Sequence, residues 1–405
     1  MRRGAVALLL LVGMWLSACA DGAPPPAAPI VARPAAAPVI VPPPLVDAGS
    51  PALLDEGVPF ERAGSVHGSD GPSWLATVDY GDGGGAEPLE LLPGGRFALR
   101  HLYAGDGEYT VTVTVAGSGG RGVAVLPVTV APLRVVFIAG LNSEGGCGGG
   151  ADAHGQGPGW VREALAGART PGLAVGEAAD FIAFSYSGRW CGGGDGSRGE
   201  RADYSGGDTC TGIDGPGGSA ARLRSLVESL GAGRVMIAGH SMGGLIAAHL
   251  AGSDPAWARA HIASIVTFDA PLGGVPRVNL TLLRMAGNMG GGCDFDSEAM
   301  HDLEDGGNPV LKVARVAAGA VPMYTIDSTK KDDYLRVLRQ AVPGDRTHIE
   351  GERMHEAVDE DHQSVWTNAG QGRSAAGKAA LLRCALAAGD AVSCAATAGT
   401  MAVSR

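Results

Sequence analysis

Aromatic side chains are scarce in this sequence: Phe, Tyr and Trp make up 5% of it, against 66 glycines and a hydrophobic fraction of 45%. A core with so few rings packs on small and branched side chains, and the glycines imply long connecting loops. Positive charge is also short. The 31 Lys and Arg face 42 Asp and Glu, a formal net charge of −11, so nothing draws the chain to nucleic acid or to an anionic bilayer surface. Nucleic acid is set aside as a partner. Long apolar runs are missing too, since the run Ala5 to Leu16 is too short for a comfortable membrane span. The 405 residues still give room for two or three domains and a substantial core.

The short run reads instead as a secretory signal, preceded by Arg2-Arg3 and followed by Leu16-Ser17-Ala18-Cys19. Leu-Ser-Ala-Cys resembles the bacterial lipobox. That resemblance implies removal of residues 1–18, acylation of Cys19, and an exported cell-envelope lipoprotein held at a membrane by its acyl chains. Of the 7 cysteines, setting Cys19 aside leaves Cys147, Cys191, Cys210, Cys293, Cys384 and Cys394. An even set in an exported protein suggests disulfides, and the spacings match no zinc pattern. The pairing is open; Cys191–Cys210 and Cys384–Cys394 would each close a short local loop.

Residues 19–52 are Ala, Pro and Val with almost no charge, which favours extended polyproline conformations and reads as a semi-rigid tether. Residues 53–132 change to period-two runs rich in Val, Thr and Tyr between Gly/Asp turns, among them Leu75 to Tyr80, Phe97 to Tyr103 and Tyr109 to Val115. This pattern predicts a small antiparallel β-sandwich. Trp74-x-Ala-Thr-Val-Asp79-Tyr80-Gly81-Asp82-Gly83, with His101-x-Tyr103 and Asp106-Gly107-x-Tyr109, resembles the PKD-type immunoglobulin-like domains of bacterial surface proteins. The resemblance implies a spacer or adhesive module and names no partner. Asp79, Asp82 and Asp106 are read as shaping turns rather than binding calcium.

From residue 133 to 405 apolar strands alternate with helical stretches: Leu133 to Ala139, Asp180 to Tyr186, Arg234 to Ala238, Ser264 to Phe268, Pro322 to Ile326 and a weaker Arg346 to Ile349. Helices are predicted over Ser219 to Leu230 and Ala375 to Ala388. Such alternation gives a doubly wound, mainly parallel sheet with ligand sites at the carboxyl ends of its strands. Within it, Gly239-His240-Ser241-Met242-Gly243 follows an apolar strand and opens an Ala/Leu-rich helix. That context makes Gly-x-Ser-x-Gly a candidate nucleophile elbow, with Gly239 and Gly243 small where strand and helix meet.

This order of elements resembles the α/β-hydrolase superfamily, and within it secreted bacterial lipases and esterases. The resemblance implies Ser241 as nucleophile and the Leu141 and Met242 amides as oxyanion donors, although Ala139 stands where family members commonly carry a histidine before Gly140. His362, in His362-Gln363-Ser364-Val365-Trp366, is the favoured base and His355 the alternative; His348 reads as structural and His240 as a packing residue. Asp332 best fits the family pattern for the acid, with Asp333 next, Asp327 too close to a strand end, and Asp269 a rival because some lipases take their acid there. No metal and no organic cofactor is needed for serine-to-water acyl transfer.

The function so implied is that of a lipid-anchored, extracytoplasmic serine carboxylester hydrolase, a lipase or esterase acting on an ester or lipid substrate. The alternatives are a polymer-ester depolymerase or acyltransferase on the same scaffold, and a surface adhesion protein with an inactive hydrolase-like domain.

Overall fold

The computed structural model describes residues 40–68, 73–146, 159–166, 181–191, 201–231, 233–285, 293–294, 296–330 and 346–386. The stretches read as signal, lipobox and most of the tether lie outside these residues. No helix among the described residues is long and apolar enough to cross a membrane.

Eight strands form the N-terminal sandwich. One sheet runs β1 (Leu45–Asp47), β3 (Phe60–His67), β6 (Arg96–His101); the other runs β2 (Ala52–Asp55), β8 (Gly120–Ala131), β7 (Gly107–Gly117), β4 (Leu75–Asp79), β5 (Glu87–Leu89). Strand alternation builds the core directly: Val111, Val113 and Val115 of β7 are buried, with the threonines between them turned outward. Two details depart from the sequence reading. β1 lies inside the stretch read as tether and pairs with β3, and β2 pairs parallel to β8 in an otherwise antiparallel sandwich. Two of the aspartates read as shaping turns do so, Asp79 and Asp82 accepting the amides of Gly81 and Gly84 at 2.8 and 3.0 Å.

The rest is built on six parallel strands: β9 (Arg134–Ile138), β10 (Phe181–Ala183), β13 (Val235–His240), β14 (Ile262–Phe268), β15 (Met323–Ser328) and β16 (Met354–Val358), in the order β10-β9-β13-β14-β15-β16. Two short strands, β11 (Arg189–Cys191) and β12 (Arg201–Asp203), form a separate hairpin. The helices are α1 (Gly159–Ala166), α2 (Ser219–Ser229), α3 (Met242–Ser253), α4 (Pro255–His261), α5 (Arg277–Met285), α6 (Glu298–Leu303), α7 (Pro309–Ala314), α8 (Ser364–Thr367) and α9 (Gly372–Leu386). Both faces of the sheet are covered, which is why its strands read as continuous apolar runs. On β9, Val136 and Ile138 join the core shared with α2, α3 and α7, while Val135 and Phe137 join the one shared with α1 and α9.

The weak strand expected at Arg346 to Ile349 is absent. Those residues form an irregular turn, and the sixth strand is β16, whose polar sequence Met-His-Glu-Ala-Val suits a sheet edge. The winding reverses between β9 and β13, and the crevice beyond such a switch point is where sheets of this type bind ligands.

Sandwich and parallel sheet belong to one compact unit, Pro42–Arg405. Asp55 at the end of β2 holds the Arg234 amide at 2.9 Å and its Nε at 2.5 Å, so the sandwich braces the foot of the strand that leads to Ser241. Glu56 adds a bond from the Leu133 amide at 3.2 Å.

Candidate active site

Ser241 sits between β13 and α3 at φ 52° and ψ −127°, a conformation costing about 1–3 kcal/mol that persists only where the surroundings impose it. The surroundings are close. A Cβ on Gly239 would fall 2.6 Å from Gly244 Cα, and one on Gly243 2.3 Å from the Ile138 carbonyl oxygen. The Ser241 amide donates to the Phe268 carbonyl at 2.8 Å, fixing the turn to the neighbouring strand.

Three non-glycine residues among those described have positive φ: Asn142, Ser241 and Asp269. They follow β9, β13 and β14 respectively, so the strained backbone gathers at the carboxyl ends of three adjacent strands. Such clustering points from strain to function.

Asp269 is 1% exposed. Its Oδ1 accepts the Ser328 amide at 2.7 Å, and its Oδ2 accepts the Ser328 hydroxyl and His362 Nδ1–H at 3.0 Å. Burial alone would push this carboxyl's pKa up, but the bonds from His362 and Ser328 outweigh it and hold the pKa below the ordinary value. The group is therefore a buried carboxylate whose bond fixes Nδ1 as the protonated nitrogen of His362, leaving Nε2 as the acceptor.

The loop carrying His362 is held from several sides. Asp361 Oδ1 caps it, accepting the amides of Gln363 and Ser364 at 3.0 and 2.7 Å. Lys378 of α9, wholly buried, reaches Glu360 Oε2 at 2.7 Å and the carbonyls of Val365 and Asn368 at 3.3 and 2.5 Å. Burial lowers the pKa of this ammonium against the pull of Glu360. From the elbow, His240 Nε2 lies 2.8 Å from the His362 carbonyl oxygen, and its ring stacks on Trp366 at 5.6 Å. The residue read as packing thus also braces the histidine loop.

The turn after β9 lies against the serine: a Cβ on Gly140 would be 2.8 Å from Ser241 Cβ and 3.3 Å from its Oγ. Beyond Gly140, the Asn142 amide donates to Thr209 Oγ1 at 2.9 Å and that of Ser143 to the Gly140 carbonyl at 3.3 Å, whereas no acceptor among the described residues takes the Leu141 amide. Met242 is the first residue of α3, so its amide has no intrahelical acceptor either. Just before Gly140, the Ala139 carbonyl accepts the buried Tyr186 hydroxyl at 2.6 Å.

Among the sequence candidates, His362 and Asp269 are thus brought together beside the elbow, with Leu141 and Met242 flanking it. Asp332 and Asp333 lie outside the described residues. His355 is not on a loop: it belongs to β16, with Asp327 at 2.9 Å and Thr325 Oγ1 at 2.9 Å from its ring nitrogens. The proposed Cys191–Cys210 pair does not form, because Cys210 is bonded to Cys293, 83 residues away. That bridge ties the turn holding Thr209, and through it Asn142, to the segment before α6. Cys384 is also disulfide-bonded, while Cys394 lies outside the described residues. Ser328 had no signal in the sequence, since only the β14–β15 pairing brings it to Asp269.

No protein-family model matches the chain, and no curated protein does. Solved structures give partial likenesses. RedJ, a thioesterase from the prodiginine biosynthetic pathway of Streptomyces coelicolor, is 16% identical over 62% of this chain and 84% of its own, with a TM-score of 0.30. The PKD domain of human KIAA0319 is 19% identical over 24% of this chain and 90% of its own, with a TM-score of 0.18. For the PKD domain of the human receptor SorCS2 the figures are 21%, 29%, 95% and 0.17. At these scores each is a likeness of chain path and no more. The structure is a mixed α/β protein, with a parallel sheet beside antiparallel ones, in which Ser241 at positive φ and the buried Asp269, bonded to the part-buried His362, end adjacent strands.

Proposed function

We propose that the protein is a serine carboxylester hydrolase in which Ser241, His362 and Asp269 form the triad. The observation that carries this is that Ser241 and Asp269, both at positive φ, end the paired strands β13 and β14, and that Asp269 holds His362 Nδ1 at 3.0 Å. Asp269 takes the place given to Asp332 by sequence pattern.

In the proposed reaction, Ser241 Oγ attacks the ester carbonyl as His362 Nε2 takes its proton. Asp269 holds the imidazole in the needed tautomer and stabilises the imidazolium. The Leu141 and Met242 amides receive the oxyanion, each worth about 10²–10³ in kcat. His362 then protonates the leaving alcohol, and water deprotonated by the same nitrogen releases the acid from the acyl-enzyme.

The natural setting we propose is the outer face of a membrane, reached through acylation of Cys19. The lipobox sequence and a disulfide bond, common in exported proteins and rare in the cytosol, support it. Turnover of p-nitrophenyl esters of rising chain length tests the activity and finds the preferred acyl group. Turnover that survives Ser241→Ala would sink the assignment. A wild type without turnover would favour the adhesive alternative.

A further inference from the structure

A second aspartate–histidine contact lies at the β15–β16 edge, and no step of the proposed hydrolysis uses it. Thr325 and Asp327 share one face of β15, and His355 of β16 is the register partner of Thr325. His348 arrives from the turn before β16. One ring nitrogen of each histidine and one oxygen of Asp327 lie within 4.8 Å of one another.

The hydrogen bonds around this group fix its tautomers. Thr325 Oγ1 donates to Glu352 Oε2 at 2.8 Å, so it accepts from His355 Nδ1–H at 2.9 Å. In the neutral ring Nε2 then carries a lone pair, and it stands 2.9 Å from Asp327 Oδ1. That oxygen is buried, in a residue 5% exposed, and receives no aligned hydrogen bond among the described residues. A lone pair on Nε2 facing that oxygen would be repelled at this distance, so the contact holds a cation, either the proton of an imidazolium or a metal ion. Glu352 Oε1 lies 3.2 Å from His348 Nδ1, so one carboxylate orients both rings, as outer-shell partners of metal ligands do.

We propose that Asp327, His348 and His355 bind a divalent transition-metal ion of the zinc class. Two imidazoles and one carboxylate suit zinc, whereas calcium and magnesium take oxygen donors. A tetrahedral centre with bonds of about 2.0–2.1 Å needs donors about 3.3 Å apart, so the His355 Nε2–Asp327 Oδ1 pair, now at 2.9 Å, opens slightly as the part-exposed His348 ring rotates in. The side chains of His348 and His355 are 35% and 28% exposed, which leaves solvent the fourth position. The ion would pin the end of β15 to β16. Since Ser328, next to Asp327, holds Asp269, the pin would also steady the triad acid; that last step alone rests on the function proposed above.

The test titrates ZnCl₂ into the chelator-treated protein near neutral pH, by calorimetry and by thermal melting, with Co²⁺ absorption reporting the geometry. Ser241→Ala serves as a second background, so that the result does not depend on the hydrolase assignment. Expected are one bound equivalent, a raised Tm, and a Kd weakened at least about tenfold by Asp327→Asn and by His348→Gln, with His67→Gln as an unaffected control. His348→Gln alters a part-exposed turn residue and keeps the test valid should Asp327→Asn not fold. Absence of saturable binding to the folded wild type, where a shared proton alone joins His355 to Asp327, would overturn the proposal. Binding undiminished in either folded variant would do the same.

Discussion

Two aspartate–histidine contacts end neighbouring strands of one sheet, and they are wired oppositely. At Asp269 the carboxylate takes His362 Nδ1–H at 3.0 Å and two further bonds from Ser328, so the charge is satisfied and Nδ1 is fixed as the protonated nitrogen. At Asp327 the histidine spends Nδ1 on Thr325, and Nε2 faces a carboxylate oxygen that no aligned hydrogen bond satisfies. Which nitrogen is fastened decides whether such a pair can pass a proton or collect a cation. A strained serine accompanies only the first pair.

Exchanging the carboxylates one at a time breaks the comparison most sharply. Asp269→Asn is expected to lower kcat about 10⁴-fold by favouring the wrong tautomer of His362, and Asp327→Asn by far less; ester turnover by both purified variants checks the order. The supports of the first pair come next. Lys378→Met leaves Glu360 buried without its cation, and denaturant melts should show a loss of about 3–5 kcal/mol. Cys210→Ser with Cys293→Ser is expected to cost about 2–4 kcal/mol in the same assay. Gly140→Ala crowds Ser241 and is expected to cut kcat about 10²-fold, a misplacement effect near the reacting atom, with a loss of about 1–3 kcal/mol from overpacking.

The pH response is the smallest expected effect. The Asp269 pKa is lowered in the folded protein, so its contribution to stability is complete above the ordinary carboxylate range and is lost as the pH falls through the folded-state value. Acid-side melts should therefore flatten in Asp269→Asn relative to the wild type.

Much of the sheet could be read in advance because its strands are buried on both faces and spell continuous apolar runs. Gly239, Ser241 and Gly243 were legible for a related reason: close approach of strand and helix leaves a trace in residue size. The choice among aspartates was not: Asp332 and Asp333 lie outside the described residues, and the partner that separates Asp269 from Asp327, Ser328, becomes visible only through strand pairing. β16 was missed because an edge strand with one wet face does not spell an apolar run. Local loops suggested Cys191–Cys210, whereas folding brought Cys293 across 83 positions to Cys210.

The most direct measurement is labelling of the folded protein with a fluorophosphonate, followed by mass spectrometry of the peptides. One adduct is expected, on Ser241, lost in Ser241→Ala and strongly slowed in His362→Ala and Asp269→Asn. An adduct on another residue, or labelling at the wild-type rate in Asp269→Asn, would contradict it.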